Sequence, residues 1–109
     1  MKKSFRIIYM GTPEFAVPAL ERLVKDGHGI ICAVTQPDRK RGRGKKVSFC
    51  PVKGKALELG IQVFQPERIK KQETLEYIGE LKPDLLVTCA YGQILSGELL
   101  EIPEYGCIN

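Results

Sequence analysis

Short runs of strand-forming residues alternate along this chain with stretches of helical character, and that alternation limits the fold more than any other feature. The runs are Arg6–Met10, Gly29–Thr35, Ile61–Phe64, Leu85–Ala90 and the segment from Gly106 to Asn109. Between the first two, Gly11 breaks the strand. Thr12 reads as a helix cap, Pro13 suits the first turn, and Glu14 brings negative charge to the helix N-terminus. The helix that follows is expected to carry Phe15, Val17, Leu20, Leu23 and Val24 on or near one face and to stop around Gly27. The first 35 residues thus form a βαβ unit, with parallel strands and a right-handed crossover.

The same grammar continues. Pro51 opens a short helix closed by Gly60, Gln72–Leu81 sets Leu75, Ile78 and Leu81 together, and a short helical stretch lies near Ser96–Leu100. The near-continuous apolar run at Leu85–Ala90 is typical of a strand covered on both faces. This predicts an α/β fold: a Rossmann-like, open, mostly parallel sheet with helices on both faces. Such sheets bind ligands beyond the carboxyl ends of their strands. The turns Gly11-Thr12-Pro13, Thr35–Lys46 and Ala90–Leu95, and Asn109, are therefore expected at one edge as a composite site.

Charge marks one of those turns. Arg39–Lys46 reads Arg-Lys-Arg-Gly-Arg-Gly-Lys-Lys, six cations in eight residues. The chain has 17 Lys+Arg against 13 Asp+Glu, net +4; without these six the balance is 11 against 13, or −2. A mildly acidic body with one cationic loop points to a polyanionic partner, set against the plain alternative of a solvated charge run. Arginines can grip phosphate bidentately. Six phosphate contacts on single-strand-like RNA would give a log–log salt slope of roughly −4. The octet has no aromatic residue for base stacking, so its grip would be on backbone and shape.

Other motifs are excluded by spacing. The first turn has one glycine rather than Gly-x-Gly-x-x-Gly, and the octet lacks P-loop spacing. His28 reads as a surface histidine. Cys32, Cys50, Cys89 and Cys107 contain no C-x-x-C pair, which argues against zinc and against a disulfide framework. Cys32 and Cys89 lie in apolar runs as buried thiols. No apolar run reaches membrane-spanning length, and the basic N-terminus is followed by a stretch too short for a signal peptide. Asn109 can donate a hydrogen bond to an oxyanion but cannot act as a base at neutral pH.

Six segments taken in order closely resemble the methionyl-tRNA formyltransferase family: Arg6–Phe15, Thr35–Arg39, Gly42–Lys46, Ser48–Lys53, Ala90–Leu95 and Gly106–Asn109. That family transfers a formyl group from 10-formyltetrahydrofolate to the amino group of methionyl initiator tRNA in translation initiation. The resemblance implies that Arg39, Lys40, Arg41, Arg43, Lys45 and Lys46 contact tRNA, with Arg43 foremost. Ala90, Tyr91, Gly92, Gln93, Ile94 and Leu95 would line the folate pocket. Gly11, Thr12, Pro13 and Phe15 would border the methionyl end. Asn109 would be catalytic, polarising the formyl carbonyl.

The resemblance further implies a cytoplasmic, monomeric parent enzyme that uses reduced folate as cosubstrate, with no metal and no membrane partner. Residues 1–109 correspond to the N-terminal part of the formyltransferase domain, with a basic loop at 39–46 more basic at Lys40-Arg41 than the commoner Pro-containing form. The family's His two residues beyond Asn109, its Ser-Leu-Leu-Pro-like segment, its later catalytic Asp and its C-terminal domain fall outside this sequence. The chain by itself is thus expected to be catalytically incomplete. Two alternatives stand beside this reading. A sugar or small-molecule formyltransferase leaves the octet without a purpose. A non-catalytic RNA-binding Rossmann module leaves Tyr91–Leu95 and Asn109 without one.

Overall fold

Strand β1 (Arg6–Gly11) lies at the centre of the molecule because its residues leave it no exposed face: Ile7, Ile8, Tyr9 and Met10 are all buried. The computed structural model describes residues 4–41 and 46–109. β1 pairs in parallel with β2 (Gly29–Val34) on one side and β6 (Leu85–Cys89) on the other. Beyond β2 lies β5 (Val63–Phe64), and beyond β6 lies β7 (Cys107–Ile108), both again parallel. The sheet order is β5-β2-β1-β6-β7. From β1 the chain winds outward through β2 to β5, then returns to the other side of β1 for β6 and β7. The order reverses between β1 and β6, so the crevice of this doubly wound sheet opens there.

Helices cover both faces, as the alternating pattern predicts. A 3-10 turn (Glu14–Ala16), α1 (Val17–Lys25) and α2 (Pro51–Glu58) cover one face, where Tyr9 packs with Ala16, Val17, Leu20, Cys50 and Val52. α3 (Gln72–Glu80) and α4 (Gly97–Glu101) cover the other. There Ile8, Met10, Cys32, Val34 and Leu86 meet Ile69, Leu75, Ile78, Tyr91 and Leu99. Side chains stop two of the short helices from fraying. The Cys50 sulfur accepts from the Lys53 N–H ahead of Pro51, and the Ser96 hydroxyl accepts from the Leu99 N–H. At the edge of the sheet away from the strand ends, Asp84 ties β6 to β1. Its carboxylate accepts from the Arg6 N–H at 2.8 Å, while its own N–H donates to the Arg6 carbonyl at 2.8 Å.

Four expectations change. Phe15 does not join the helix face; it is 69% exposed, because Glu14–Ala16 form a 3-10 turn and the buried stripe starts at Ala16. Thr12 is not a cap, since Pro13 stands at the cap position and no side chain caps that turn. Within the basic segment, β3 (Arg39–Arg41) and β4 (Lys46–Ser48) pair antiparallel, Arg39 opposite Ser48 and Arg41 opposite Lys46. The described parts of that segment are therefore a two-stranded ribbon rather than a loop. Strands of three residues without apolar alternation leave no periodic signal to read. Cys32 is buried as expected, whereas Cys89 is only half-buried.

Candidate functional site at the strand ends

Parallel pairing carries the ends of β1, β2, β5, β6 and β7 to one edge, and the loops after β1, β2 and β6 are bound into one polar lattice. Thr12, just after β1, is its hub. The Thr12 hydroxyl donates to the Tyr91 carbonyl at 2.7 Å and accepts from the Gln36 N–H at 3.3 Å. One side chain thus joins the loops after β1, β2 and β6 across the point where the strand order reverses. The Gln36 side chain continues the lattice, its Oε1 accepting from Gln93 Nε2 at 3.0 Å. Gln93 Oε1 in turn accepts from the Ile69 N–H at 2.8 Å, which holds the segment before α3 against the β6 loop.

The loop after β6 is shaped by its backbone. Ala90 and Gly92 both lie in the left-handed region, at φ 52° and φ 105°. Between them Tyr91 turns down into the core, 3% exposed, while Ile94 stands out at 79%. Leu95 packs against the core from its half-buried position. Gly92 has a second constraint besides its φ: a Cβ there would come within 2.6 Å of Gln36 Nε2. Gly11 is held by packing instead, since its Cβ would lie 2.9 Å from the Cys89 carbonyl oxygen. Tyr91 meets a cost in return for its burial. Its phenol oxygen has no hydrogen-bond partner among the described residues, and burial pushes its pKa up to about 12.

A second knot holds the base of the ribbon. Asp38 immediately precedes β3, and Lys53 lies in α2 shortly after β4; their side chains meet at 2.6 Å. Gln65, after β5, donates to Asp38 Oδ1 at 2.9 Å and to the Gln36 carbonyl at 3.1 Å. Lys53, and then Gln65, hold the Asp38 carboxyl below its ordinary range by favouring its ionised form. The Lys53 ammonium also sits 4.1 Å from the centre of the Phe49 ring. Arg39, Lys40 and Arg41 lie on β3 and Lys46 on β4, whereas Arg43 and Lys45 fall outside the described residues.

Asn109 follows β7 and is exposed. Its Oδ1 accepts a hydrogen bond from the Thr88 hydroxyl at 3.2 Å, and Nδ2 is the donor end of the amide. Beside the β6 loop, Arg68, Ile69 and Lys70 line a cavity of about 410 Å³ together with Gln93 and Ile94. Among the described residues no group of three or more His, Cys, Asp and Glu is placed to hold a metal ion. No helix of the described residues is long and apolar enough to cross a membrane.

Of the residues expected at the site, Thr12, Tyr91 and Gln93 are joined in one hydrogen-bonded lattice, and Gly11 and Gly92 make the close approaches that allow it. Pro13 and Phe15 enter the 3-10 turn, and Asn109 bonds to the neighbouring strand. Sequence reasoning missed Lys53, Gln65, Thr88, Arg68 and Lys70. Thr88 left a usable trace as the one hydroxyl in the apolar run Leu85–Ala90, and Lys53 as the last residue of the Ser48–Lys53 segment.

Residues 4–109 match the family profile described as formyl transferase. Among curated proteins, a methionyl-tRNA formyltransferase of Ruminiclostridium cellulolyticum is 58% identical over 104 residues, covering 95% of this chain and 33% of that protein. One of Caldanaerobacter subterraneus is 56% identical over 105 residues, covering 95% of this chain and 34% of the relative. One of Bacillus subtilis is 54% identical over 104 residues, with 95% and 33% covered. The chain thus spans about a third of the length of the curated relatives it matches.

Proposed function

The chain belongs to the formyl transferase family, and on that premise we propose that it is the N-terminal part of the catalytic domain of a methionyl-tRNA formyltransferase. The parent enzyme moves a formyl group from 10-formyltetrahydrofolate to the amino group of methionyl initiator tRNA, as a cytoplasmic monomer. The observation that carries this reading is the lattice across the β1/β6 crevice, with an Asn amide at the end of the adjoining strand β7.

In the proposed reaction the methionyl amine adds to the formyl carbon, forming a new C–N bond while the carbonyl π pair moves onto oxygen. Asn109 Nδ2 donates to that oxyanion, a contribution worth about 2.7–4 kcal/mol of transition-state stabilisation for a well-placed donor. Collapse restores the carbonyl and breaks the bond between the formyl carbon and N10 of the folate. One proton leaves the amine and one reaches N10, so the step is redox-neutral. Asn109 cannot carry those protons at neutral pH. The reading therefore calls for a separate acid–base group beside Asn109 to carry them.

The folate is assigned to the loop Ala90–Leu95, whose backbone groups and exposed Ile94 offer hydrogen bonds and an apolar contact. Arg68 and Lys70, beside Gln93 and Ile94, suit its carboxylates. Gly11, Thr12, Pro13 and the exposed Phe15 are assigned to the methionyl end. The cations Arg39, Lys40, Arg41, Arg43, Lys45 and Lys46 are assigned to the tRNA backbone. The test is Arg43→Ala in the complete natural protein that carries this sequence. The expected outcome is a raised KM for methionyl-tRNA, a shallower salt dependence and an unchanged folate affinity. An unchanged KM and salt slope would reduce the segment to a solvated charge run.

A further inference from the structure

Thr88 is a hydroxyl in a strand otherwise built to be apolar, and it is 8% exposed. A buried hydroxyl without a partner is costly, so where its proton goes needs an account. It goes to Asn109 Oδ1, at 3.2 Å. The pairing of β6 with β7 runs Leu86 opposite Cys107 and Val87 opposite Ile108, and its next step sets Thr88 beside Asn109. The contact is thus a product of strand register rather than of chance between two loops. It also has a direction. With Oδ1 taken by the Thr88 hydroxyl, Nδ2 is the end of the amide left to donate. A flipped amide would present a carbonyl oxygen to the oxyanion, which repels it instead of stabilising it.

Resting on the reading of Asn109 as the oxyanion donor, we infer that Thr88 is a positioning residue for formyl transfer: its hydroxyl sets the orientation of the Asn109 amide. Thr88 touches no reacting atom in this scheme. It acts by keeping the donor aimed before substrate arrives, which is what preorganised stabilisation requires.

The experiment uses the complete natural protein, with steady-state kinetics of formyl transfer to methionyl-tRNA for Thr88→Val, Thr88→Ser, Asn109→Ala and Thr88→Val combined with Asn109→Ala. Valine keeps the shape and removes the hydroxyl. We expect kcat to fall about three- to tenfold in Thr88→Val, the worth of one hydrogen bond, with both KM values unchanged. Thr88→Ser should recover most of that loss. In the Asn109→Ala background, Thr88→Val should have no further effect. A fall in kcat that serine does not rescue, or one that persists without Asn109, overturns the inference and makes Thr88 a packing residue. Wild-type kcat in Thr88→Val beside a strongly impaired Asn109→Ala also overturns it. Wild-type activity in Asn109→Ala instead defeats the underlying reading of Asn109, and the inference falls with it.

Discussion

Tyr91→Phe removes one atom from the core of the proposed folate loop, the phenol oxygen that has no hydrogen-bond partner among the described residues. The sign of the effect follows from two opposed magnitudes. Leaving a buried hydroxyl unsatisfied costs about 1–3 kcal/mol, and phenylalanine relieves that cost while keeping the ring in its contacts with the surrounding cluster. Against it stands a void of one oxygen, worth a few tenths of a kcal/mol at about 24 cal/mol per Å³. The variant should therefore be more stable by about 1–2 kcal/mol, read by urea and thermal unfolding. In the complete natural protein each kcal/mol gained should raise Tm by a few °C, roughly 2–4 °C for a larger domain.

A second readout comes from alkali. With its folded pKa pushed from 10.0 up to about 12, Tyr91 loses its proton more easily in the unfolded chain. Wild-type stability should fall as pH climbs from 10 toward 12, and Tyr91→Phe should fall less steeply. Some slope remains, because burial pushes Cys32 up to about 12 and raises Tyr9 as well. A variant that is less stable than wild type, with an unchanged alkaline slope, would refute the reasoning by showing that the phenol oxygen is satisfied.

Two further outcomes test the frame of the site. Gly11→Ala should destabilise by about 1–3 kcal/mol, because its Cβ would press on the Cys89 carbonyl at 2.9 Å, a backbone atom that cannot move without parting β1 from β6; a change below about 0.5 kcal/mol in urea unfolding would show that the strands yield freely. The Asp38 carboxyl, held below its ordinary 3.8 by Lys53 and Gln65, stabilises the fold fully above pH 3.8 and ceases to as pH falls through its lower folded value. Asp38→Asn should flatten that acid limb of the stability profile, and an identical profile would mean that the ion pair is open in solution.

The order of elements was legible because its signals are local. Apolar runs bounded by glycine and proline mark β1, β2 and β6 wherever they occur, and the predicted helices at Pro51 and Gln72 begin where expected. From those alone follow a parallel sheet and loops gathered at one edge. Yet the partner of a polar side chain is a long-range fact. Thr12 looks like a cap in its own neighbourhood, but the sheet brings Gln36 and Tyr91, 24 and 79 residues away, close enough to claim its hydroxyl. Phe15 has the spacing of a core residue, and the 3-10 turn rotates it into solvent.

The basic octet shows the same division. Its charge, and the choice of a polyanion as partner, belong to composition and need no fold. Its ribbon stems, and the Asp38–Lys53 pair that ties their base, needed β2, α2 and β5 to be assembled first. The sequence by itself determined the class of fold, the edge at which the strand ends gather and the concentration of positive charge in one segment, because periodicity and composition act within a few residues. Only the tertiary structure decided which side chains join into a site, because a hydrogen bond of 2.7 Å between loops depends on strand order and register, which no local pattern encodes.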